Sequence, residues 1–206
     1  MQVETIQVSP IGTNCYLLCD DKTRHCGIID PGGDARRIIA AVEESGFQPV
    51  CILLTHAHYD HTGGVAGLVE RWPDLPVYVS AKDLYSADDR KAARLFPPLE
   101  GHVMSYDEGE DVKVGQINVH VLSTPGHTKG SVTLLAEDVM FSGDTLFAGS
   151  CGRTDLYDGD WEEMMASLRR LGGLQRNFKV LPGHMDASDL ECERQTNPYL
   201  RQAMGS

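Results

Sequence analysis

Three histidines and an aspartate fall within six positions of the stretch LLTHAHYDHTGG, residues 53 to 64, directly behind an apolar run. That crowding restricts the fold more than any other feature of the chain. Imidazoles packed side by side repel one another as they protonate, and burying them or a carboxylate without partners is costly. A cation between the side chains removes both penalties, provided the fold brings further ligands to the same place.

The rest of the sequence supplies them. Four apolar stretches end in an acid or a histidine: CILLT leads into His56, His58, Asp60 and His61, VHVLSTPG into His127, VMFSG into Asp144, and KVLPG into His184. Pro-Gly-His occurs at 125–127 and again at 182–184, where Pro and Gly make a turn that ends a strand and projects the next side chain from the sheet edge. Alternate residues of an extended segment share a face, so His56 and His58 can hold one ion together. The chain then turns toward a helix at Thr62–Gly64, which swings Asp60 and His61 to a neighbouring position, about 3.5–4 Å away if a second ion is present. Seven candidate ligands exceed what one tetrahedral ion takes, and they suit two if Asp144 bridges. Imidazole and carboxylate fit Zn²⁺ and also Fe or Mn, and two divalent metal ions, with zinc as the expected metal, are the implied cofactors. The isolated His25, His102 and His120 are read as surface or satisfied histidines.

At 206 residues with 41% apolar and 23% charged side chains, the chain is expected to form one domain, residues 1–206, with 202–206 a frayed or vector-derived tail. The net charge of −12, from 18 basic against 30 acidic groups, argues against nucleic acid as a partner. It also means that an anionic substrate must be drawn by a local basic group or a cation. The first ten residues lack a basic and apolar secretory leader, and no window is apolar enough to span a bilayer, so a cytoplasmic protein with no membrane partner is expected. Six scattered cysteines without a C-x-x-C pair are expected to be free thiols, Cys15 and Cys19 serving as small core fillers. A monomer or weak oligomer is expected, but the helices' outer faces carry no long apolar stripe from which the oligomeric state could be read.

Along the chain, TIQVSP, TNCYLLCD and HCGIID read as a meander of strands. DARRIIAAVEESG reads as a helix with Asp34 as N-cap and Gly46 as terminator, and PVCILLT as a central strand. TGGVAGLVERW is a second helix and PVYVS a strand, while Ala81 to Glu108 reads as a short helix and a surface loop. Strands at INVHVLS, SVTLLAE and VMFSGD follow, then a long loop through AGSCGRTDLYDGD. A helix next opens at Asp160 with capping-box spacing to Glu163 and carries Met164, Leu168 and Leu171 on one stripe, with the Met164–Met165 pair read as core packing. NFKVLPGH is a last strand and SDLECERQ a last short helix. Strand-rich halves with helices outside suggest two sheets packed together and covered on both outer faces.

At the residues His56-Ala57-His58-Tyr59-Asp60-His61, with His127, Asp144 and His184, the chain resembles the metallo-β-lactamase superfamily, whose signature is H-x-H-x-D-H. The resemblance runs from the first strands to the last helix. It implies an α/β fold of four layers, the αββα sandwich, with two mixed sheets and helices on both outer faces. It also implies that His56, His58 and His127 hold a first metal and that Asp60, His61 and His184 hold a second, with Asp144 and a solvent hydroxide between them. The true β-lactamases lack the bridging aspartate found at Asp144, so antibiotic hydrolysis is not expected. SGDTLFAGSCGRTDL, TPGHTKGSV and TNPYL are similar to the glyoxalase II group, the hydroxyacylglutathione hydrolases. The implied reaction is metal-dependent hydrolysis of a small-molecule thioester, glutathione-linked as in S-lactoylglutathione, with Asp60 as the catalytic residue that orients the hydroxide and relays its proton. Arg153 falls where larger members place a lysine on the glutathione carboxylate; it either binds substrate or pairs with Asp155 or Asp158 as a loop arginine. Lys129 is a weaker candidate. The sequence departs from that group in lacking its C-terminal helical domain, in the polar pair Thr154-Asp155 where those enzymes carry an aromatic residue, and in Met185 where a glycine commonly follows the last histidine. Competing readings are a mononuclear iron dioxygenase acting on glutathione persulfide, a hydrolase of another ester or lactone, and a non-enzymatic metal module serving a partner.

Overall fold

In the computed structural model, which describes residues 1–86 and 88–205, two six-stranded sheets lie face to face. The first is built in chain order from β1 (Gln2–Val8), β2 (Thr13–Asp20), β3 (His25–Ile29), β4 (Gln48–Leu53), β5 (Pro76–Val79) and β6 (His102–Ser105). Strands β1 to β3 form an antiparallel meander and β3 to β6 run parallel. Helices α1 (Ala35–Ser45), α2 (Tyr59–Thr62) and α3 (Val65–Arg71) connect the parallel strands. The second sheet takes β7 (Asp111–Val114), β8 (Ile117–Ser123), β9 (Val132–Ala136) and β10 (Val139–Gly143), followed by a small hairpin, β11 (Leu146–Phe147) with β12 (Ser150–Cys151). Helix α4 (Trp161–Gly172) then leads to β13 (Lys179–Pro182), β14 (Ser188–Asp189), α5 (Leu190–Thr196) and α6 (Pro198–Met204). The strand order is β14-β13-β10-β9-β8-β7, with β10 and β13 parallel and the other pairs antiparallel.

Side-chain alternation explains the layering. Every residue of β2 is buried, because Cys15, Leu17 and Cys19 face the α1–α3 layer while Tyr16 and Leu18 face the other sheet. The space between the sheets is filled by Tyr16, Leu53, Val119, Leu134 and Phe141, and the far face by Met140 and Val180 against Met164, Leu168, Leu171 and Leu200. Each such side chain contributes about 1.5–3 kcal/mol by leaving water. The result is the four-layer αββα arrangement. All six cysteines are free, with Cys15 and Cys19 buried as core fillers. Met164 is buried and Met165 packs beside it. Among the described residues no helix is long and apolar enough to cross a membrane.

Strands β3, β4, β8, β10 and β13 share a direction and end at the same edge of the sandwich, where the two sheets are tied together. Asn14 N donates to Gly183 O at 2.8 Å, the Tyr16 hydroxyl to Pro182 O at 2.6 Å, and Val132 N to Thr55 O at 2.8 Å.

The structure departs from the sequence expectations at four places. Asp34 precedes α1 but does not cap it: its φ is 48° and its carboxylate accepts Ser9 N at 2.8 Å instead, bracing the first loop. Within 81–108 a strand, β6, follows the short helical turn; its largely exposed residues give no hydrophobic alternation, and parallel pairing with β5 alone defines it. The alternation of DVKV, with Val112 and Val114 buried, makes β7. The expected frayed end is helical through Met204, with Ala203 buried and its carbonyl accepting Arg169 Nε at 2.7 Å; Ser206 lies outside the described residues, as does Ala87 in the loop reading. By contrast Asp160 caps α4 as expected, accepting Glu163 N at 2.9 Å.

Arg170 of α4 clamps the outer helix to the second sheet. Its Nη1 donates to Glu108 Oε2 at 2.9 Å and to Ser123 O at 3.0 Å. This guanidinium, with the Ser123 N–H, holds the Glu108 carboxyl down to about 2 from an ordinary 4.5. A depressed acid stabilises the fold above its unfolded value and loses that contribution as pH falls through the folded one. Glu108→Gln is therefore expected to destabilise the protein at neutral pH by about 0.5 kcal/mol, the pair being half exposed. The gap to wild type in denaturant melts should close between pH 4.5 and about 2.

Candidate metal centre

The chain leaves β4 through Leu54, bends at Thr55 and His56, and is extended at His58, whose φ and ψ are −64° and 149°. The single turn of α2 then rotates Asp60 and His61 to a new position. The segment is pinned from outside: Ala57 N donates to Asp83 Oδ2 at 3.0 Å and Tyr59 N to Leu95 O at 2.8 Å.

All seven ligand candidates converge. Donor atoms of His56, His58 and His127 lie within 4.8 Å of one another, as do those of Asp60, His61 and His184. Asp144 stands between the two triads. Its Oδ2 is 3.4 Å from His127 Nε2 in the first and 3.5 Å from His184 Nε2 in the second, and its Oδ1 is 3.4 Å from His61 Nε2. Asp60 Oδ2 is 3.2 Å from His184 Nε2 and accepts Thr13 Oγ1 at 3.4 Å.

A second ring of groups turns the imidazole lone pairs inward. The Thr55 hydroxyl donates its one proton to Asp30 Oδ2 at 2.6 Å, so His56 Nδ1–H donates to Thr55 Oγ1 at 3.2 Å and Nε2 is bare. His127 Nδ1–H donates to Arg153 O at 2.7 Å, which leaves its Nε2 as a lone pair facing His58 Nδ1 at 2.9 Å. His61 Nδ1 lies 3.0 Å from Asp30 Oδ2, an ion-pair contact rather than a well-aligned hydrogen bond, and its Nε2 faces Asp144.

The residues fit a pair of divalent cations. His56 Nε2, His58 Nε2, His61 Nε2 and Asp144 Oδ1 are buried without a hydrogen-bond partner among the described residues. His61 Nδ1 is a fifth such atom; orphaned buried polar atoms are rare in folded proteins, and five on four neighbouring ligand-type side chains point to a further electrostatic partner. Burial and the neighbouring imidazoles push His58 down to about 3 and His56 well below the usual range, so both are neutral as ligands must be. Burial works the other way on Asp144, but the charge of His61 outweighs it and keeps this carboxyl well below the ordinary value. His61 is raised, since the Asp144 and Asp30 carboxylates overcome its own burial.

Two glycines give the site its tight fit. Gly126 has φ 136°, and a Cβ there would lie 2.4 Å from Met164 backbone atoms, so only glycine lets the turn before His127 rest on α4. A Cβ on Gly183 would sit 2.3 Å from Asp144 Oδ1 and 2.6 Å from His61 Cε1. Met185, in place of the glycine expected after His184, occupies the left-handed region at φ 70°. Asn14 Nδ2 holds it there, donating to Met185 O at 2.9 Å and Pro182 O at 3.1 Å.

The centre opens into a cavity of about 530 Å³ whose apolar wall includes Ile11, Tyr59, Leu95, Phe147, Leu156 and Met185. Arg153 also lines it, but its side chain makes a bidentate pair with Asp155, both bonds at 2.7 Å. Holding a substrate carboxylate would require exchanging Asp155. Lys129 pairs with Asp158 at 3.3 Å. His25, His102 and His120 stay outside, and His120 pairs with Asp111. Sequence reasoning missed Asp30 and Asp83. Asp30 ends the apolar strand HCGIID, the same signal that singled out the other strand ends. Asp83 lies in the helical turn after β5 rather than at a strand end and gains its role by tertiary contact, where it accepts Ala57 N, Thr128 Oγ1 and Gly130 N.

The profile of the Metallo-beta-lactamase superfamily matches residues 8–184. Over 209 residues the chain is 35% identical to the probable metallo-hydrolase YqgX of Bacillus subtilis, covering 97% of this chain and 98% of that one. It is 34% identical over 212 residues to the hydroxyacylglutathione hydrolase GloC of Haemophilus influenzae, covering 97% and 98% of the two chains. Among solved structures it superposes on the BLEG-1 B3 metallo-beta-lactamase with a TM-score of 0.85 at 34% identity, over 97% of this chain and 99% of that one. TTHA1623 in a di-iron-bound form gives 0.83 at 37%, over 95% and 99%. ETHE1 from Myxococcus xanthus gives 0.81 at 30%, over 96% and 84%.

Gly183→Ala is expected to leave the fold in place and displace the Asp144 carboxylate. Elemental analysis of the purified variant should then find about half the wild-type metal per chain or less. An unchanged metal content would show that Asp144 is not held where the ions meet.

Proposed function

The chain belongs to the metallo-beta-lactamase superfamily, and from that membership we propose that it is a metal-dependent hydrolase that cleaves a small acyl thioester of the S-lactoylglutathione type. The observation that carries the reading is the shared carboxylate: Asp144 faces His127 of one donor triad and His61 and His184 of the other. In this assignment His56, His58 and His127 hold a first divalent ion, and Asp60, His61 and His184 a second. Zinc is the metal proposed, and the di-iron form of TTHA1623 makes iron the first alternative. When bound, a pair of such ions would supply a nucleophilic hydroxide near neutral pH and polarisation of a carbonyl oxygen.

The protein's own groups supply the rest. Asp60 reaches the cavity with Oδ2 already engaged by Thr13 and His184, which orients the carboxylate so that it can accept a proton from the attacking water. The apolar wall of Ile11, Phe147, Leu156 and Met185 keeps bulk water from the reacting carbonyl and gives the acyl and thiol chains a surface to lie on. A thiolate departs without an acid catalyst, because an ordinary thiol ionises near pH 8.5. Water and thioester thus become carboxylic acid and thiol, the C–S bond breaking as the new C–O bond forms.

Release of thiol from S-lactoylglutathione by metal-replete protein tests the proposal, with Asp144→Ala expected to lower kcat by roughly a thousandfold. One iron per chain with oxygen uptake on glutathione persulfide, and no thiol released, would move the assignment to the dioxygenase reading. Faster turnover of a β-lactam than of any thioester would replace the substrate class, an arm that the likeness to BLEG-1 makes worth running.

A further inference from the structure

A second concavity of about 580 Å³ adjoins the metal cavity and shares Tyr59, Leu95 and Leu156 with it. Its remaining lining is Lys91 and Arg94. The two cavities form one groove from the metal centre across an apolar saddle to a pair of cations.

The segment that carries these cations is built against the site. Ala93 N donates to Asp89 O at 2.8 Å and Phe96 N to Ala92 O at 2.9 Å, so residues 89–96 turn as a short helical coil. Lys91, Arg94 and Leu95 therefore share a face. Leu95 O accepts Tyr59 N from the ligand loop, and the Phe96 ring lies 4.7 Å from that of His58. Tyr157 donates to Asp89 Oδ2 at 3.0 Å and Tyr85 donates to Asp158, which fasten the segment to the opposite wall.

The charge balance around the groove is unusual for a chain of net charge −12. Three acids beside the groove are already engaged. Asp155 is paired with Arg153, and Asp158 with Lys129 and Tyr85. Asp89 accepts Tyr157 and the N–H groups of Lys91 and Ala92. Lys91 and Arg94 make no ion pair within 4.0 Å among the described residues; the Lys91 charge reaches the Asp89 carboxylate only at longer range, and both cationic side chains line the groove. We propose that Lys91 and Arg94 form the subsite for an anionic tail on the thiol half of the substrate and set the enzyme's preference for charged over uncharged thioesters.

This rests on the thioester reading, in which a small acyl group reacts at the metals and the longer thiol half runs along the groove. Arg and Lys bind carboxylate and phosphate by the same charge-assisted hydrogen bonds, so the tail's source is left to the experiment. Calorimetry on the metal-replete protein would use three unreactive thioethers: S-hexylglutathione, its diethyl ester and S-hexyl-coenzyme A. Wild type is expected to bind one of the two anionic compounds at least tenfold more tightly than the ester. The doubly substituted Lys91→Gln, Arg94→Gln protein, with unchanged metal content, should lose that preference. A glutathione preference identifies a carboxylate tail and a coenzyme A preference a phosphate one. Equal binding of all three to wild type, or a preference that survives the double substitution, overturns the subsite. An intact binding preference without thioester hydrolysis would instead count against the proposed reaction.

Discussion

Seven groups that would be mutually unfavourable if buried alone, five imidazoles and two carboxylates, meet within a few ångströms at one edge of the sandwich. The rest of the structure depends on how that cost is offset. Carboxylate charge does part of it, as His61 shows by the raised pKa that Asp144 and Asp30 impose. It cannot do all of it, because His56 and His58 stay neutral with their Nε2 atoms unpartnered. On the reading proposed above, cations between the triads would complete the balance, and Asp144 lies in reach of both triads.

The fold serves that meeting. Strands that run in a common direction end at a common edge; the segment after β4 delivers four candidate ligands, those after β8, β10 and β13 one each, and the end of β3 the supporting Asp30. Precision comes from the outer ring: Asp30 orients Thr55 and faces His61, Asp83 gathers the loops at 57 and 128–130, and the carbonyl of Arg153 fixes the tautomer of His127. Removing such a group leaves every ligand in the sequence while loosening the geometry. Arg153 illustrates how backbone and side chain can differ in role, since its carbonyl holds a ligand while its guanidinium is occupied by Asp155.

Much of this was legible in the sequence, for a physical reason. The candidate ligands sit at strand ends, where an apolar run followed by Pro-Gly-His or by Asp is visible in one dimension. Helix α4 announced its start through Asp160 and its buried stripe through Met164, Leu168 and Leu171. What could not be read depends on contacts between distant segments. Strand β6 has no hydrophobic alternation and exists because β5 pairs with it. Asp34 looked like a cap, but the Ser9 amide claimed its carboxylate. Lys91 and Arg94 are ordinary surface residues in the sequence and acquire meaning only when Leu95 docks on the ligand loop.

The central claim is that the seven groups hold two adjacent ions bridged by Asp144. Anomalous X-ray diffraction from crystals of the purified protein, collected on both sides of the zinc and iron edges, addresses it directly. Two peaks about 3.5–4 Å apart, one within reach of His56, His58 and His127 and the other of Asp60, His61 and His184, with Asp144 touching both, are the predicted result. A single peak that leaves Asp144 or either triad without an ion, or seven side chains turned apart around no ion at all, would contradict it.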